Sequence, residues 1–329
     1  LRDEIYNPED LEKYSKKIQE VEKEFTLFNI KIVSNVLQEL NNEVDLIGFH
    51  GQTIFHDSNN KITKQLGDGK LFSQMVKKIV VNNFRQKDLD NNGLGAPLTP
   101  LFHMLISKKL EREKKINLPL NIINIGGITN VTQVIKFSDS IDTNLNALDI
   151  GPGNCLIDEW VRKNSKKQFD DNGDIAKNGK VNDLILNQAI DNFEILSFEK
   201  SLDVKDFDIS FVKGLSLEDG CATLTKFTSI LIANGLEYLS KANKSFPVNN
   251  LFCGGGRKNS FLINSIKEKL GSKNIKLENI NLYGLDGDFI ESQAFAYLSV
   301  RTLLNLPISF PSTTKCKAPT VGGEINKNF

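Results

Sequence analysis

An α/β fold with mixed sheets is predicted by three features. Short apolar runs alternate with helical periodicities along most of the 329 residues. Asn121–Ile125 leads through Gly126-Gly127 into a second run, Ile128–Phe137, and this hairpin makes one sheet partly antiparallel. Glycine clusters close two further apolar runs, at Gly151-Pro152-Gly153 and Gly254-Gly255-Gly256, each just before a helical stretch.

In chain order, Asn7-Pro8-Glu9-Asp10 is a helix start, with Asn as cap and Pro in the first turn. Leu11, Tyr14, Ile18, Val21, Phe25, Phe28, Ile32, Val36 and Leu40 follow at spacings of three and four. That stripe predicts one long helix, or two with a bend near Phe28, laid across a sheet. Val44–His50 reads as a strand, Ile54-Phe55-His56 as its continuation, and Lys70–Ile79 as a helix after the Gly67-Asp68-Gly69 turn. A short strand ends on Arg85, a loop spans Gly93–Pro97, and Leu98–Leu110 is helical. The charged run Lys108–Lys115 reads as a linker. Beyond the hairpin come a strand at Ala147–Asp149 and helices at Asn154–Lys163, Val181–Asn192 and Glu218–Asn243. Asn250–Cys253 is a strand, Ser260–Leu270 a helix, Ile275–Leu282 a strand and Asp288–Asn305 a helix. Asp288 and Glu291 have capping-box spacing, and the tail after Pro307 reads as irregular.

Lys+Arg and Asp+Glu both number 41, which argues against an electrostatic nucleic-acid or polybasic membrane binder. No apolar run approaches the roughly 18 residues of a membrane helix. Cys155, Cys221, Cys253 and Cys316 are widely spaced and form neither a zinc pattern nor a disulfide framework. The expectation is a cytoplasmic protein with reduced thiols. Only six basic residues are Arg, so each marks a place where a planar fork is useful.

Asp149 ends a strand before the Gly-Pro-Gly turn and a helix start. The carboxylate there is either a general base facing a sugar or phosphate, or a cap of the turn. Asn124-Ile-Gly-Gly-Ile-Thr-Asn130 and Cys253-Gly-Gly-Gly-Arg-Lys-Asn259 are candidate phosphate cradles, since glycines let backbone N–H groups approach an anion. Neither is a Walker loop, and Gly254-x-Gly256 does not complete G-x-G-x-x-G. His50-Gly-Gln-Thr-x-x-His56 offers substrate hydrogen bonds at a strand end, or simply buried structural histidines. Arg85 is either an anion clamp or a surface ion pair, and Glu291 either touches a sugar or closes the capping box. No metal-ligand spacing is present.

Taken together, Asp45–His56, Asn83-Phe-Arg85, Gly93–Pro100, Asn124–Asn130, Asp149–Asn154, Cys253–Asn259 and Gly287–Glu291 resemble the ordered motifs of the anhydro-N-acetylmuramic acid kinase family, from about Val44 to Gly323. The resemblance implies an actin-like, sugar-kinase/Hsp70 ATPase fold of two ribonuclease-H-like lobes. It divides the chain into an incomplete first lobe at 1–117, a second lobe at 118–306, and a tail at 307–329 that packs back on the first lobe. It implies ATP and Mg²⁺ as cofactors, an amino sugar as partner, and allows a homodimer. Asp149 maps onto the family base. His50, Gln52, Arg85, Asn154 and Glu291 map onto substrate contacts, and Asn124, Gly126, Gly127, Gly254, Gly255, Gly256 and Asn259 onto nucleotide contacts. The implied reaction opens the anhydro ring and phosphorylates the 6-oxygen, within peptidoglycan recycling.

The family's first phosphate hairpin belongs before the long first helix, so an upstream segment is expected. Asn83 replaces a commoner acid before Phe-Arg, and Lys200-Ser201-Leu202-Asp203 replaces a commoner Lys-Ser-Thr-Gly. A truncated, non-catalytic sugar-binding relative and a sugar kinase with another substrate remain the alternatives.

Overall fold

Asn7 accepts the Asp10 N–H and Asp10 reaches back to the Asn7 N–H, so α1 (Pro8–Lys13) opens on a complete capping box. We describe a computed structural model covering residues 1, 4–41, 43–137, 144–193, 202–242, 249–271 and 275–329. The chain forms two compact units, one from 1–103 with 291–329 and one from the residues between.

In the first unit the helical stripe breaks at Tyr14, not near Phe28, and continues as α2 (Ser15–Glu39). Its buried positions are Ile18, Thr26, Ile30 and Leu37, whereas Phe28, Ile32, Val36 and Leu40 are exposed. The cause is geometric: steps of four advance about 40° beyond a full turn, so a four-spaced stripe winds off the core face. The next elements are β1 (Leu46–Gly48), β2 (Gln52–Asp57), β3 (Ile62–Leu66), α3 (Gly69–Val76), β4 (Ile79–Asn82) and α4 (Gln86–Asp90), and α5 (Pro100–Arg112) passes at Met104 into the residues of the second unit. α5 runs through Lys108–Arg112, where a linker is expected from charge alone. β2 does not extend the β1 sheet; it pairs with β3 as a separate antiparallel ribbon. β4, with Val80 and Val81 fully buried, is the central strand of a three-stranded sheet. β1 lies parallel to it on one side.

The second unit is built on a five-stranded sheet of β5 (Leu120–Ile125), β6 (Ile128–Val134), β7 (Leu145–Pro152), β8 (Asn249–Cys253) and β9 (Lys276–Asn279). Its order is β7-β6-β5-β8-β9, with β6 antiparallel to both neighbours and β5, β8 and β9 parallel. This is the ribonuclease-H-like arrangement that the resemblance implies. β7 continues through Gly151-Pro152 instead of turning there, pairing Gly151 with Thr129 and Pro152 with Ile128. Pro152 is tolerated because β7 is an edge strand, where a missing N–H costs no ladder bond. Helices α6 (Cys155–Asn164), α7 (Asp174–Lys177), α8 (Asp183–Asn192), α9 (Leu217–Ala242) and α10 (Ser260–Leu270) complete the unit. Ile123, Ile150, Leu236, Phe252 and Leu262 pack a core between sheet and helices. Trp160 anchors a second core and donates Nε1–H to the Leu217 carbonyl at 3.0 Å.

The strand predicted to Leu282 stops at Asn279, and a 3-10 turn, Ile280–Tyr283, follows. α11 (Ile290–Leu303) begins after Asp288, whose carboxylate serves Arg257 and Lys258 instead of a helix cap. The tail is more ordered than its Pro and Gly content predicts. It holds α12 (Pro311–Thr314) and β10 (Glu324–Asn326), which pairs antiparallel with β4.

Candidate active site

In the second unit, the predicted residues converge at the ends of β5, β7 and β8. The Gly126-Gly127 hairpin and the turn after β7 are zipped together. Gly153 N–H donates to the Gly127 carbonyl at 2.8 Å, and Asn154 N–H to the Gly126 carbonyl at 2.7 Å. A Cβ on Gly153 would overlap the Gly126 carbonyl oxygen, so close approach fixes that glycine. Gly254 has φ +76° and ψ 172°, a region almost confined to glycine, and sits against the Asn124 side chain. Asn259 caps α10, accepting the Leu262 N–H at 2.9 Å.

Asp149 is half-buried on β7 in register with Asn130. Its Oδ2 accepts the Leu202 N–H at 2.8 Å. In the sequence Leu202 stands out only as a departure from the family pattern, and its backbone role has no side-chain signal. Lys200 and Ser201 of that departure lie outside the described residues. Asn154, which the resemblance assigns to the sugar, stands with the residues it assigns to the nucleotide: its side chain faces the Gly255-Gly256 backbone, and together with Gly255 and Asn259 it lines a pocket of ≈ 310 Å³.

Arg257, whose only sequence signals are the scarcity of Arg and its place in the Cys253–Asn259 motif, secures this region. Its Nη1 donates to the Gly254 carbonyl at 2.9 Å and to Asp288 at 2.8 Å, and its Nε to Asn281 at 3.1 Å. Arg257 and Lys258 hold the Asp288 carboxyl well below the usual range.

The first unit holds the other predicted residues. Arg85 donates Nε–H to His50 Nε2 at 3.1 Å and Nη1–H to the Gly95 carbonyl at 2.8 Å. His50 therefore carries its proton on Nδ1, which donates to the Gly51 carbonyl at 2.8 Å. Burial, with Arg85 beside it, lowers the His50 pKa to about 3, so the ring is neutral. Burial pulls the Arg85 pKa down, and Glu291 and Asp88 oppose that shift. Glu291 and Gln52 are exposed. A polar pocket of ≈ 180 Å³ is lined by His50, Lys64, Gln65, Asn83 and Glu324, among others. Asn83 donates to Glu324 at 2.8 Å, so β10 brings a carboxylate to this pocket from the tail. His56 is occupied on both ring nitrogens, by Thr63 and the Leu94 carbonyl, and His103 is buried.

A family model described as anhydro-N-acetylmuramic acid kinase matches residues 1–328. The chain belongs to this family. Three relatives carry the same name. One from Pelagibacter ubique (strain HTCC1062) is 49% identical, over 100% of this chain and 86% of its own. One from Zymomonas mobilis subsp. mobilis is 36% identical, covering 94% and 81%. One from Methylobacterium nodulans is 37% identical, covering 93% and 79%. As a member of the anhydro-N-acetylmuramic acid kinases, the chain is a phosphotransferase. Among its described residues no helix is long and apolar enough to cross a membrane, and no three His, Cys, Asp or Glu side chains cluster as a metal cage.

Proposed function

We propose that this kinase opens the 1,6-anhydro ring of anhydro-N-acetylmuramic acid and phosphorylates the released 6-oxygen, using ATP. The products are N-acetylmuramic acid 6-phosphate and ADP, a step in recycling cell-wall peptidoglycan. Asp149 is the general base. It takes a proton from water as the water oxygen bonds to C1. The C1–O6 bond breaks, O6 bonds to the γ-phosphorus, and the bond from that phosphorus to the β-phosphate oxygen breaks. The observation that carries this reading is the Leu202 N–H on Asp149 Oδ2. A carboxylate that accepts a backbone N–H is favoured in its ionised form, the form a base needs.

Asn124, Gly126 and Gly127 hold phosphate oxygens, and Gly254, Gly255, Gly256 and Asn259 the nucleoside, with Asn154 at the same turn. His50, Gln52 and Glu291 bind the sugar, and Arg85 acts through the His50 ring that it fixes. Mg²⁺, when bound, neutralises phosphate oxygens.

The test is an ADP-release assay with mass spectrometry of the sugar product. The anhydro sugar is compared with N-acetylmuramic acid and N-acetylglucosamine. Turnover of the anhydro sugar to a product heavier by one phosphoryl group (HPO₃) and one water supports the proposal. Turnover of the free sugars alone rejects the substrate assignment.

A further inference from the structure

The pocket beside the Gly254–Gly256 turn has a pronounced charge imbalance. Asp158, Asp170 and Asp171 line it against a single ammonium, Lys258. Lys258 is committed to Asp288 at 2.7 Å. Asp170 is committed too: Oδ1 accepts the Ile175 N–H at 2.7 Å, and Oδ2 accepts the Ala176 N–H at 3.1 Å and the Cys221 thiol at 3.3 Å. Asp158 is different. It lies on the first turn of α6, four residues beyond Asn154, and is half-buried. Its carboxylate accepts no hydrogen bond among the described residues. Burial pushes its pKa up to about 6; Asp170 adds to the shift and Arg162 opposes it.

An acidic wall repels a triphosphate and suits the uncharged, donor-bearing end of a nucleotide. Phe169 offers an aromatic face at the same pocket, 55% exposed. A partly desolvated carboxylate without a donor is destabilising unless a ligand completes it.

We propose that Asp158 is the nucleoside-selecting residue of this kinase: its carboxylate accepts a hydrogen bond from the nucleoside end of ATP, either from a ribose hydroxyl or from the exocyclic amine of the base. The inference rests on the assignment of ATP to the adjoining glycine turns. It concerns the recognition of the donor nucleotide and leaves the chemistry at Asp149 as described.

The test is the KM for the nucleotide in the wild-type chain and in Asp158→Asn and Asp158→Ala. ATP is compared with 2′-deoxy-ATP, 3′-deoxy-ATP and the purine riboside triphosphate that lacks the amine. Both substitutions raise the ATP KM at least tenfold, while kcat and the sugar KM move less than threefold. The penalty collapses below threefold with one analogue, which identifies the donor. The wild-type ATP KM also rises as pH falls from 7 to 5, because Asp158 gains a proton, and the Asn variant lacks that rise. An ATP KM within twofold of wild type in both variants overturns the inference, as does an equal penalty with all four nucleotides. Absence of turnover by the wild-type chain defeats the kinase chemistry itself, a separate result.

Discussion

Acidification from pH 7 to pH 5 is expected to loosen the first unit through His50 and His103. Burial lowers both pKa values to about 3, from 6.5. Between those limits the unfolded chain binds protons that the folded chain refuses, so stability is full above about 6.5 and falls as pH drops. For fully buried His103 the loss at pH 5 is about 2 kcal/mol. Half-buried His50 is discounted to roughly 1 kcal/mol. The sum, about 3 kcal/mol, is a fall of roughly a hundredfold in the folded-to-unfolded ratio. The assay is native-state hydrogen exchange at the β4 amides of Val80 and Val81, corrected for intrinsic rates, because both residues are fully buried at the centre of their sheet. His103→Asn removes the larger contribution and leaves a fall of only about fivefold, relative to that variant at pH 7. Protection that is unchanged between pH 7 and pH 5 would refute the reasoning. So would an undiminished fall in the variant.

Three further outcomes follow from the site. Leu202→Pro deletes the N–H on Asp149 Oδ2, a charge-assisted bond worth about 1.5–3 kcal/mol, so kcat falls by roughly ten- to a hundredfold while the ATP KM holds. Leu202→Ala keeps the N–H and the wild-type kcat; the same loss in both variants would remove Leu202 from the account. Gly254→Ala forces a side chain into a glycine-only conformation against Asn124, costing about 1–3 kcal/mol. ATP KM rises more than sugar KM, and equal rises would argue for general damage. Arg85→Met leaves His50 Nε2 and the Gly95 carbonyl without their donor. The sugar KM rises, and the His50 pKa rises from about 3 as the neighbouring cation goes, which NMR titration of the ring detects.

What the sequence made legible was local. The Gly126-Gly127 hairpin, the glycine turn after β8 and helix α10 all follow from nearest-neighbour chemistry, and Ser260–Leu270 is found with its predicted ends. What it hid was set at long range. β3 is Ile-Thr-Lys-Gln-Leu, too polar for a buried strand, and it exists because β2 supplies a partner. β10 is three residues that count as a strand only beside β4. Asp288 has the spacing of a cap, yet Arg257, 31 residues earlier, claims its carboxylate. The site shows the same division. The glycines were visible because backbone geometry restricts residue type. Leu202 and Asp158 were not: a backbone amide has no residue signature, and an acid becomes informative only when its surroundings leave it without a donor.

The central claim is that Asp149 is the base that activates water. The direct measurement is single-turnover product formation by Asp149→Asn with the anhydro sugar, alongside ATP binding by calorimetry. The account predicts ATP affinity close to wild type and loss of product by more than about a hundredfold, roughly 2.7 kcal/mol or more in barrier. Turnover within about tenfold of wild type, roughly 1.4 kcal/mol, would make Asp149 a turn residue and contradict the account.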